Sequence, residues 1–289
     1  MIFLSLPRAL TICLTLGICL GTKIGRTESP LRWSDSPTPT AGPARSLGAT
    51  NLGCLVGGEA LIAGTGPFEI LRPQRNRFWG HPLLIATLRD LARNLKARGQ
   101  APLLVADMGL PRGGPMPDGH RSHMTGLDAD IWFKGDRPAP HDPAWLASPT
   151  ALSAVTTDGQ SVDPAVFDVK TRILLDIAAH DPRVDRIFVN PAIKRALCQE
   201  RGEDPDAAVW LGKLRPWWGH DRHAHLRLSC PDTSPDCLPQ PPIPQGTGCD
   251  ATLDWWFTEE ARTPKSPAGS PPPHWPPPPP PICAQLATD

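Results

Sequence analysis

The spacing of apolar residues predicts a chain of amphipathic helices interleaved with short strands. The clearest helix covers residues 83–98, where leucines recur at steps of three or four positions and form one apolar stripe. Pro82 suits the first turn of this helix, and Gly99 marks its end. Further helices are predicted at 166–179, 191–200, 206–214 and 251–257.

Alternation with a period of two predicts strands in two stretches that also carry polar chemistry. Residues 128–133 (DADIWF) place Asp128 and Asp130 on one face of a strand. Residues 222–228 alternate in the same way, so His223 and His225 share a face. Other short strands are predicted at 52–61, 68–71, 102–108 and 186–189. The expected fold class is α+β, with a central antiparallel sheet flanked by helices.

Composition and charge narrow the range of functions. Lys+Arg and Asp+Glu number 29 each, so no basic field predicts nucleic-acid binding and no acidic excess predicts a solvating tail. Apolar residues make up 40% of the chain, which is enough for a core. Proline is unusually frequent, with 38 of the 289 residues, whereas proline makes up about 5% of an average protein. Tyrosine is absent, so no phenol can act as an acid or an oxyanion donor.

The two ends of the chain are interpreted as export and linking segments. Residues 1–26 are expected to be a signal peptide, since Arg8 precedes an apolar run that is too short to span a bilayer. Residues 27–46, rich in Pro, Ser and Thr, are interpreted as a flexible leader. The main domain is placed at 47–262, and 263–289 is a proline-rich tail of polyproline II character. The mature form is expected to have no membrane span.

Cysteine usage indicates an oxidising compartment. Of the eight cysteines, Cys13 and Cys19 leave with the export segment, and an even number remains. An even number in an exported chain implies disulfides, although six cysteines allow 15 pairings. Cys230 and Cys237 bracket a short loop and are the easiest local pair. No cysteines have the CxxC spacing, so a thiolate metal site is disfavoured.

The stretch GHRSHMTGLDAD is the first candidate for chemistry. It holds His120, His123, Asp128 and Asp130 within twelve residues. Imidazole nitrogen and carboxylate oxygen are ordinary zinc donors, and a catalytic zinc keeps one position open for water. The alternative is a hydrophilic surface turn with incidental histidines.

The stretch RPWWGHDRHAHLRL is the second candidate. His220 lies in a Gly-containing turn just before the pair His223 and His225. Three histidines within six residues are more than a structural role needs. Trp217 and Trp218 could be core residues or a substrate platform, and the general burial of tryptophan favours the core.

Together the two stretches offer more donors than one zinc ion can use, which is what a catalytic site requires. Zinc lowers the pKa of water and polarises a carbonyl, while a neighbouring histidine can transfer protons. The implied reaction is metal-assisted amide hydrolysis. The chain has neither an HExxH motif nor a GxSxG motif, so the commonest metallopeptidase and serine-hydrolase arrangements do not compete.

The spacing from His123 to Asp130, followed far downstream by His223-x-His225, resembles the zinc signature of lysostaphin-type and D-Ala-D-Ala metallopeptidases. More closely, GHRSHMTGLDADIWF, RIFVNPAIKRALC and RPWWGHDRHAHLRLSCP resemble the penicillin-insensitive murein endopeptidases of Gram-negative bacteria, over residues 47–283. That family implies a periplasmic zinc endopeptidase that hydrolyses peptide cross-links in peptidoglycan, chiefly the D-alanyl–diaminopimelyl bond.

The resemblance also implies roles for individual residues. By motif, His123, Asp130 and His225 match the zinc ligands, and His120 matches a position tied to metal binding or activity. His223 matches the proton-handling histidine, and His220 matches a further active-site histidine.

The six remaining cysteines match the family's, which implies the pairs Cys54–Cys283, Cys198–Cys249 and Cys230–Cys237. The first of these pairs would anchor the proline-rich tail to the start of the domain.

One turn departs from the family pattern. Asp158 matches a further metal contact, but Ser161 stands where the family has a histidine. Whether one or two metals bind therefore stays open, as do the preference for D,D or L,D cross-links and the formation of a homodimer. Two other functions also stay open: a D,D- or L,D-carboxypeptidase acting on murein peptides, and a non-catalytic wall-binding protein with structural zinc.

Overall fold

The structure is a computed structural model that describes residues 33–117, 120–263 and 279–286. The predicted signal peptide and most of the proline-rich tail lie outside the described residues. Across the described part of the chain, none of the helices is long and apolar enough to span a membrane.

The described residues form ten strands, numbered in chain order. They are β1 (Arg45–Ala49), β2 (Leu52–Val56), β3 (Glu59–Ala60), β4 (Phe68–Ile70), β5 (Trp79–Gly80), β6 (Leu103–Val105), β7 (Asp128–Trp132), β8 (Val184–Val189), β9 (Leu214–Pro216) and β10 (His223–Leu228). The predicted strands are all present, some of them shorter than expected, because Gly- and Pro-containing turns interrupt the pairing.

The described helices are also numbered in chain order. They are α1 (Pro82–Ala97), α2 (Pro143–Ala147), α3 (Val169–His180), α4 (Pro191–Arg201), α5 (Ala207–Trp210), α6 (Ala251–Asp254), α7 (Glu259–Arg262) and α8 (Pro281–Ala284). The predicted helix at 83–98 is confirmed, and the His81 side chain caps it by accepting from the Leu83 N–H. Helix α3 begins later than predicted because the Asp168 side chain caps its N-terminus.

Six strands form the central sheet in the order β4-β6-β7-β10-β8-β9. The three inner pairings are antiparallel, but the two outer pairings, β4 with β6 and β8 with β9, are parallel. The expected α+β class with an antiparallel centre is confirmed, and the parallel outer pairings make the whole sheet mixed. Helix-containing connections explain this, because α1 lies between β4 and β6, and α4 and α5 lie between β8 and β9.

The main core lies on one face of this sheet. Ile131 of β7, Leu226 of β10 and Ile187 of β8 are buried there together with apolar residues of α1 and α3. The alternation of β7 and β10 therefore sends their polar side chains to the opposite face. That face carries the candidate site.

A hairpin of β1 and β2 closes the start of the domain. Trp33 is only 4% exposed and packs with Leu47 and Cys54, so part of the stretch interpreted as a flexible leader contacts the hairpin. The sequence did not predict this contact, because the residues around Trp33 are rich in Pro and Ser, which is typical of a flexible segment. The described part of the chain holds three disulfides, Cys54–Cys283, Cys198–Cys249 and Cys230–Cys237, which are the pairs that the resemblance implied.

Candidate metal centre

Two antiparallel strands, β7 and β10, position the centre of the site. Asp130 lies directly opposite His225 in the register, and His223 lies opposite Trp132. Directly opposed residues point to the same sheet face, so the carboxylate and both imidazoles emerge together. The predicted faces of the two strands are confirmed, and the pairing of the strands, which the sequence did not predict, brings those faces together.

The loop between β6 and β7 brings the other two histidines to this point. His123 is completely buried, and its backbone is left-handed with φ 69. Such a conformation is costly for a residue other than glycine and is held by the surrounding fold. Gly113 makes this loop compact, since a Cβ there would lie 2.0 Å from the Met124 carbonyl oxygen.

Three imidazole nitrogens surround a single carboxylate oxygen. Asp130 Oδ1 lies 3.1 Å from His225 Nδ1, 3.4 Å from His123 Nε2 and 3.6 Å from His223 Nε2. The other oxygen, Asp130 Oδ2, lies 3.5 Å from His120 Nδ1. Donors placed tetrahedrally at ~2.1 Å from one ion would be about 3.4 Å apart, so these spacings suit zinc.

Unpaired buried atoms give an independent reason to expect a metal here. Both ring nitrogens of His123 and Oδ1 of Asp130 are buried without a hydrogen-bond partner among the described residues. Buried polar atoms left in this state are costly. His120, His123 and Asp130 also form a group whose ligand atoms all lie within 4.8 Å of one another. The donors present therefore fit a metal ion.

Two further carboxylates lie behind the histidines and orient them. Asp128 Oδ1 accepts hydrogen bonds from His225 Nε2 at 2.7 Å and from Arg227 Nε at 2.5 Å. Asp107 Oδ2 lies 3.0 Å from His120 Nε2. In both rings the other nitrogen, Nδ1, is left facing Asp130. A carboxylate behind a ligating histidine fixes its orientation and raises its basicity.

The sequence interpretation counted Asp128 among the candidate zinc donors, whereas the structure places it behind His225, and it gave Asp107 no role. A signal for Asp128 existed, because it shares the strand face of Asp130, two residues away. Asp107 carried no comparable signal, since only the loop geometry brings it to His120.

The charges around the site are strongly coupled. Burial alone would raise the pKa of Asp130, but His123 and His223 hold it well below its usual value. Burial would lower the pKa of His225, but its hydrogen bond to Asp128 and the nearby negative charge of Asp130 raise it. The Asp130 carboxylate is therefore ionised at neutral pH and available as a metal ligand.

His220 and His223 lie in a different electrostatic environment. Burial lowers the pKa of His223, and burial together with His223 and His225 lowers the pKa of His220 to about 4. Both rings are therefore neutral at pH 7 and able to accept a proton. His220 has a left-handed backbone with φ 51, and its ring centroid lies 4.9 Å from that of His223.

The site opens into a cleft of about 760 Å³, which His120, His220 and His223 line. Trp217 and Trp218 also line this cleft and are 55% and 40% exposed. The prediction that these tryptophans belong to the core is therefore wrong. The general preference of tryptophan for burial misled it, because β9 ends at Pro216 and the next residues lie at the rim of the cleft.

Comparisons with known proteins identify the family. A sequence model described as penicillin-insensitive murein endopeptidase matches residues 46–288. The chain belongs to the penicillin-insensitive murein endopeptidase family. A relative of that name from Klebsiella pneumoniae subsp. pneumoniae is 40% identical over 239 residues, covering 83% of this chain and 84% of the relative. Another of that name, from Escherichia coli O1:K1, is 41% identical over 225 residues, covering 78% and 81%.

Asp158, which the resemblance to this family suggested as a further metal contact, does not line the cleft. Asp158 is exposed, and its Oδ1 accepts hydrogen bonds from Thr156 Oγ1 and the Gln160 N–H within its own turn. Ser161, at the position of the family histidine, is also exposed. Neither residue lines the cleft described above. A metal contact by Asp158 stays a prediction that no contact among the described residues supports.

Proposed function

We infer that this protein is a zinc-dependent endopeptidase that hydrolyses peptide cross-links in murein, chiefly the D-alanyl–diaminopimelyl bond. The observation that carries this inference is the convergence of His123, His223 and His225 on one oxygen of Asp130 at an open cleft. Membership of the penicillin-insensitive murein endopeptidase family supplies the substrate class.

In this proposal His123, Asp130 and His225 hold the zinc ion, and His120 is a further ligand or a neighbour of the metal. The first three residues offer the closest donor spacings, between 3.1 and 3.4 Å around Asp130 Oδ1. Zinc, when bound, lowers the pKa of water and polarises the scissile carbonyl. The carboxylates of Asp107 and Asp128 keep two of the rings aimed at the metal.

His223 and His220 handle protons in this proposal. Both are neutral at pH 7 and line the cleft, so each can accept a proton from water at a free ring nitrogen. The protonated ring can then donate to the leaving amine. His220 Nδ1 lies 3.0 Å from the Trp218 carbonyl oxygen, which leaves Nε2 for this exchange. Without tyrosine in the chain, imidazole is the natural group for this role.

We place the protein in the periplasm. The apolar N-terminal run and the three disulfides support export to an oxidising compartment. Insensitivity to penicillin follows from the same chemistry, because β-lactams acylate a nucleophilic serine and the proposed site uses none.

The test is digestion of purified cross-linked murein, with and without a chelator, followed by mass analysis of the products. We expect cross-linked dimers to become monomers, and chelation to stop the reaction. Release of terminal D-alanine from uncross-linked peptides alone would instead assign a carboxypeptidase. Hydrolysis that continues at full rate in chelator would refute zinc dependence. Binding to murein without any hydrolysis would indicate a wall-binding protein.

A further inference from the structure

The sheet face that carries the metal centre continues beyond it towards β9. His225 of β10 lies opposite Phe188 of β8, and Phe188 lies opposite Arg215 of β9. Arg227 lies opposite Arg186 in the same way. Opposed residues share a face, so Arg215 extends the row of side chains that begins at Asp130, and Arg186 extends the neighbouring row that begins at Asp128.

Ring contacts support this continuity. The rings of Phe188 and His225 have centroids 5.4 Å apart, and the Arg227 guanidinium lies 5.1 Å from the centre of the Phe188 ring. Strands are spaced by about 4.8 Å, which places Arg215 about 10 Å from His225. That distance corresponds to about three residues of extended peptide.

A second cavity, of about 300 Å³, lies at this end of the row. Its walls include both Arg186 and Arg215, together with the rings of Trp217 and Trp256, whose centroids are 6.1 Å apart. Arg186, Phe188 and Trp217 also line the cleft at the metal centre. The two cavities are therefore neighbouring parts of one surface and share a wall.

The charge in the second cavity is not balanced. Among the described residues, the side chain of half-buried Arg215 has neither a hydrogen bond nor an ion pair, and exposed Asp250 acts on it only electrostatically. Arg186 is held in place by Asp185, with Nε to Oδ2 at 2.5 Å, and by the Pro241 carbonyl oxygen. Burial and the positive charge of Arg186 both lower the pKa of Arg215.

An unpaired guanidinium beside a second one, between aromatic walls, suits a ligand with a negative charge and some apolar surface. Arginine presents a fork of N–H donors that matches a carboxylate in a bidentate manner. A bound carboxylate would also relieve the repulsion between the two arginines.

We propose that this second cavity is a carboxylate-binding subsite, in which Arg215, assisted by Arg186, binds a free carboxylate of the acidic peptide whose amide bond lies at the metal centre. The proposal rests on the proposed function, because it takes a murein peptide as the substrate. It adds a specificity-determining residue, Arg215, that acts about three residues away from the reacting bond.

The test uses cross-linked muropeptides in which each free carboxylate is converted, one at a time, to a carboxamide. For the wild-type enzyme we expect amidation at one position to lower kcat/KM about 10- to 100-fold, mainly through KM, as for loss of a hydrogen-bonded charge pair. Arg215→Gln should lower kcat/KM by a similar factor on the unmodified peptide. It should have little further effect on the peptide amidated at the sensitive position.

Two variants serve as controls. Arg215→Lys keeps the charge but loses the fork, so it should recover part of the affinity. Arg93→Gln removes an exposed arginine that pairs with Asp90, and it should leave the preference unchanged. This control removes the same charge from the protein as Arg215→Gln does.

Calorimetry measures binding of the product peptide, which the enzyme does not cleave further. This binding measurement tests the carboxylate subsite separately from the proposed hydrolytic function. If Arg215→Gln lowers kcat/KM equally on every peptide, or binds the acidic peptide as tightly as wild type, the subsite is refuted. The subsite is also refuted if the wild-type enzyme shows no preference for any free carboxylate, or if it does not bind the acidic product peptide. If no peptide is hydrolysed but the acidic one still binds through Arg215, the proposed function fails and the subsite stands.

Discussion

Asp128→Asn tests whether the carboxylate behind His225 holds that ring for the metal. Asp128 is completely buried, and its Oδ1 accepts hydrogen bonds from His225 Nε2 and Arg227 Nε. Asparagine keeps an oxygen at this position, so the variant removes the charge while conserving the shape. Burial would raise the pKa of Asp128, but Arg227 and His225 hold it below its usual range, so the wild-type group is charged at pH 7.

Two losses should follow from this change. Arg227 is left buried without its counter-charge, and breaking a buried pair typically costs about 3–5 kcal/mol of folding stability. His225 becomes a weaker base, and loss of an outer-shell partner typically lowers metal affinity about 10- to 100-fold. That factor equals about 1.4–2.8 kcal/mol of binding free energy.

Competition for zinc with a chromophoric chelator at pH 7 measures the affinity, and urea unfolding of the zinc-free protein measures the stability separately. Asp181→Asn is the matched control, because the carboxylate of Asp181 accepts hydrogen bonds from Arg183 but does not line the cleft. It should lose some stability and keep its zinc affinity. If Asp128→Asn binds zinc as tightly as wild type, His225 is not a ligand that Asp128 orients.

Four further changes have expected outcomes. His123→Ala should abolish activity and lower zinc affinity by more than the ~10- to 100-fold expected for an outer partner; wild-type zinc content would refute its assignment as a ligand. His223→Ala should keep zinc and lower kcat about 10²- to 10⁴-fold, so loss of zinc would make it a ligand instead. Replacing Cys54 and Cys283, 229 positions apart, by serine should cost up to about 5 kcal/mol of stability. Replacing Cys230 and Cys237, which are seven positions apart, should cost less stability, because a disulfide that closes a shorter loop constrains the unfolded chain less. Equal losses in urea unfolding would contradict this dependence on loop length. Burial and Arg215 lower the pKa of Lys194 to about 7, below ~10.4 in the unfolded chain. The unfolded chain then binds more protons between these values, so stability should rise with pH there, by at most ~1.4 kcal/mol per unit. Lys194→Met should flatten that slope, and an unchanged slope in urea unfolding would contradict the shift.

Much of the local structure could be predicted because single segments carry their own signals. The leucine stripe and flanking residues of α1 define a helix without any tertiary information. The alternation in β10 already separates His223 and His225 from the core residues Ala224 and Leu226. The sequence alone therefore predicted that one face of this strand packs in the core and that the other face carries the polar site.

Features that depend on several segments could not be predicted in the same way. Whether the outer strand pairs are parallel depends on where the helical connections return the chain, which no local pattern encodes. The exposure of Trp217 and Trp218 depends on what covers the end of β9. The pairing of Asp107 with His120 depends on the path of a loop rich in glycine and proline.

Anomalous diffraction from crystals of the active protein, recorded on both sides of the zinc absorption edge, tests the central claim most directly. We predict a zinc peak within about 2.0–2.2 Å of donor atoms from His123, Asp130 and His225. A peak at any other place, or active protein without a peak there, would contradict the proposal that these residues hold the catalytic metal.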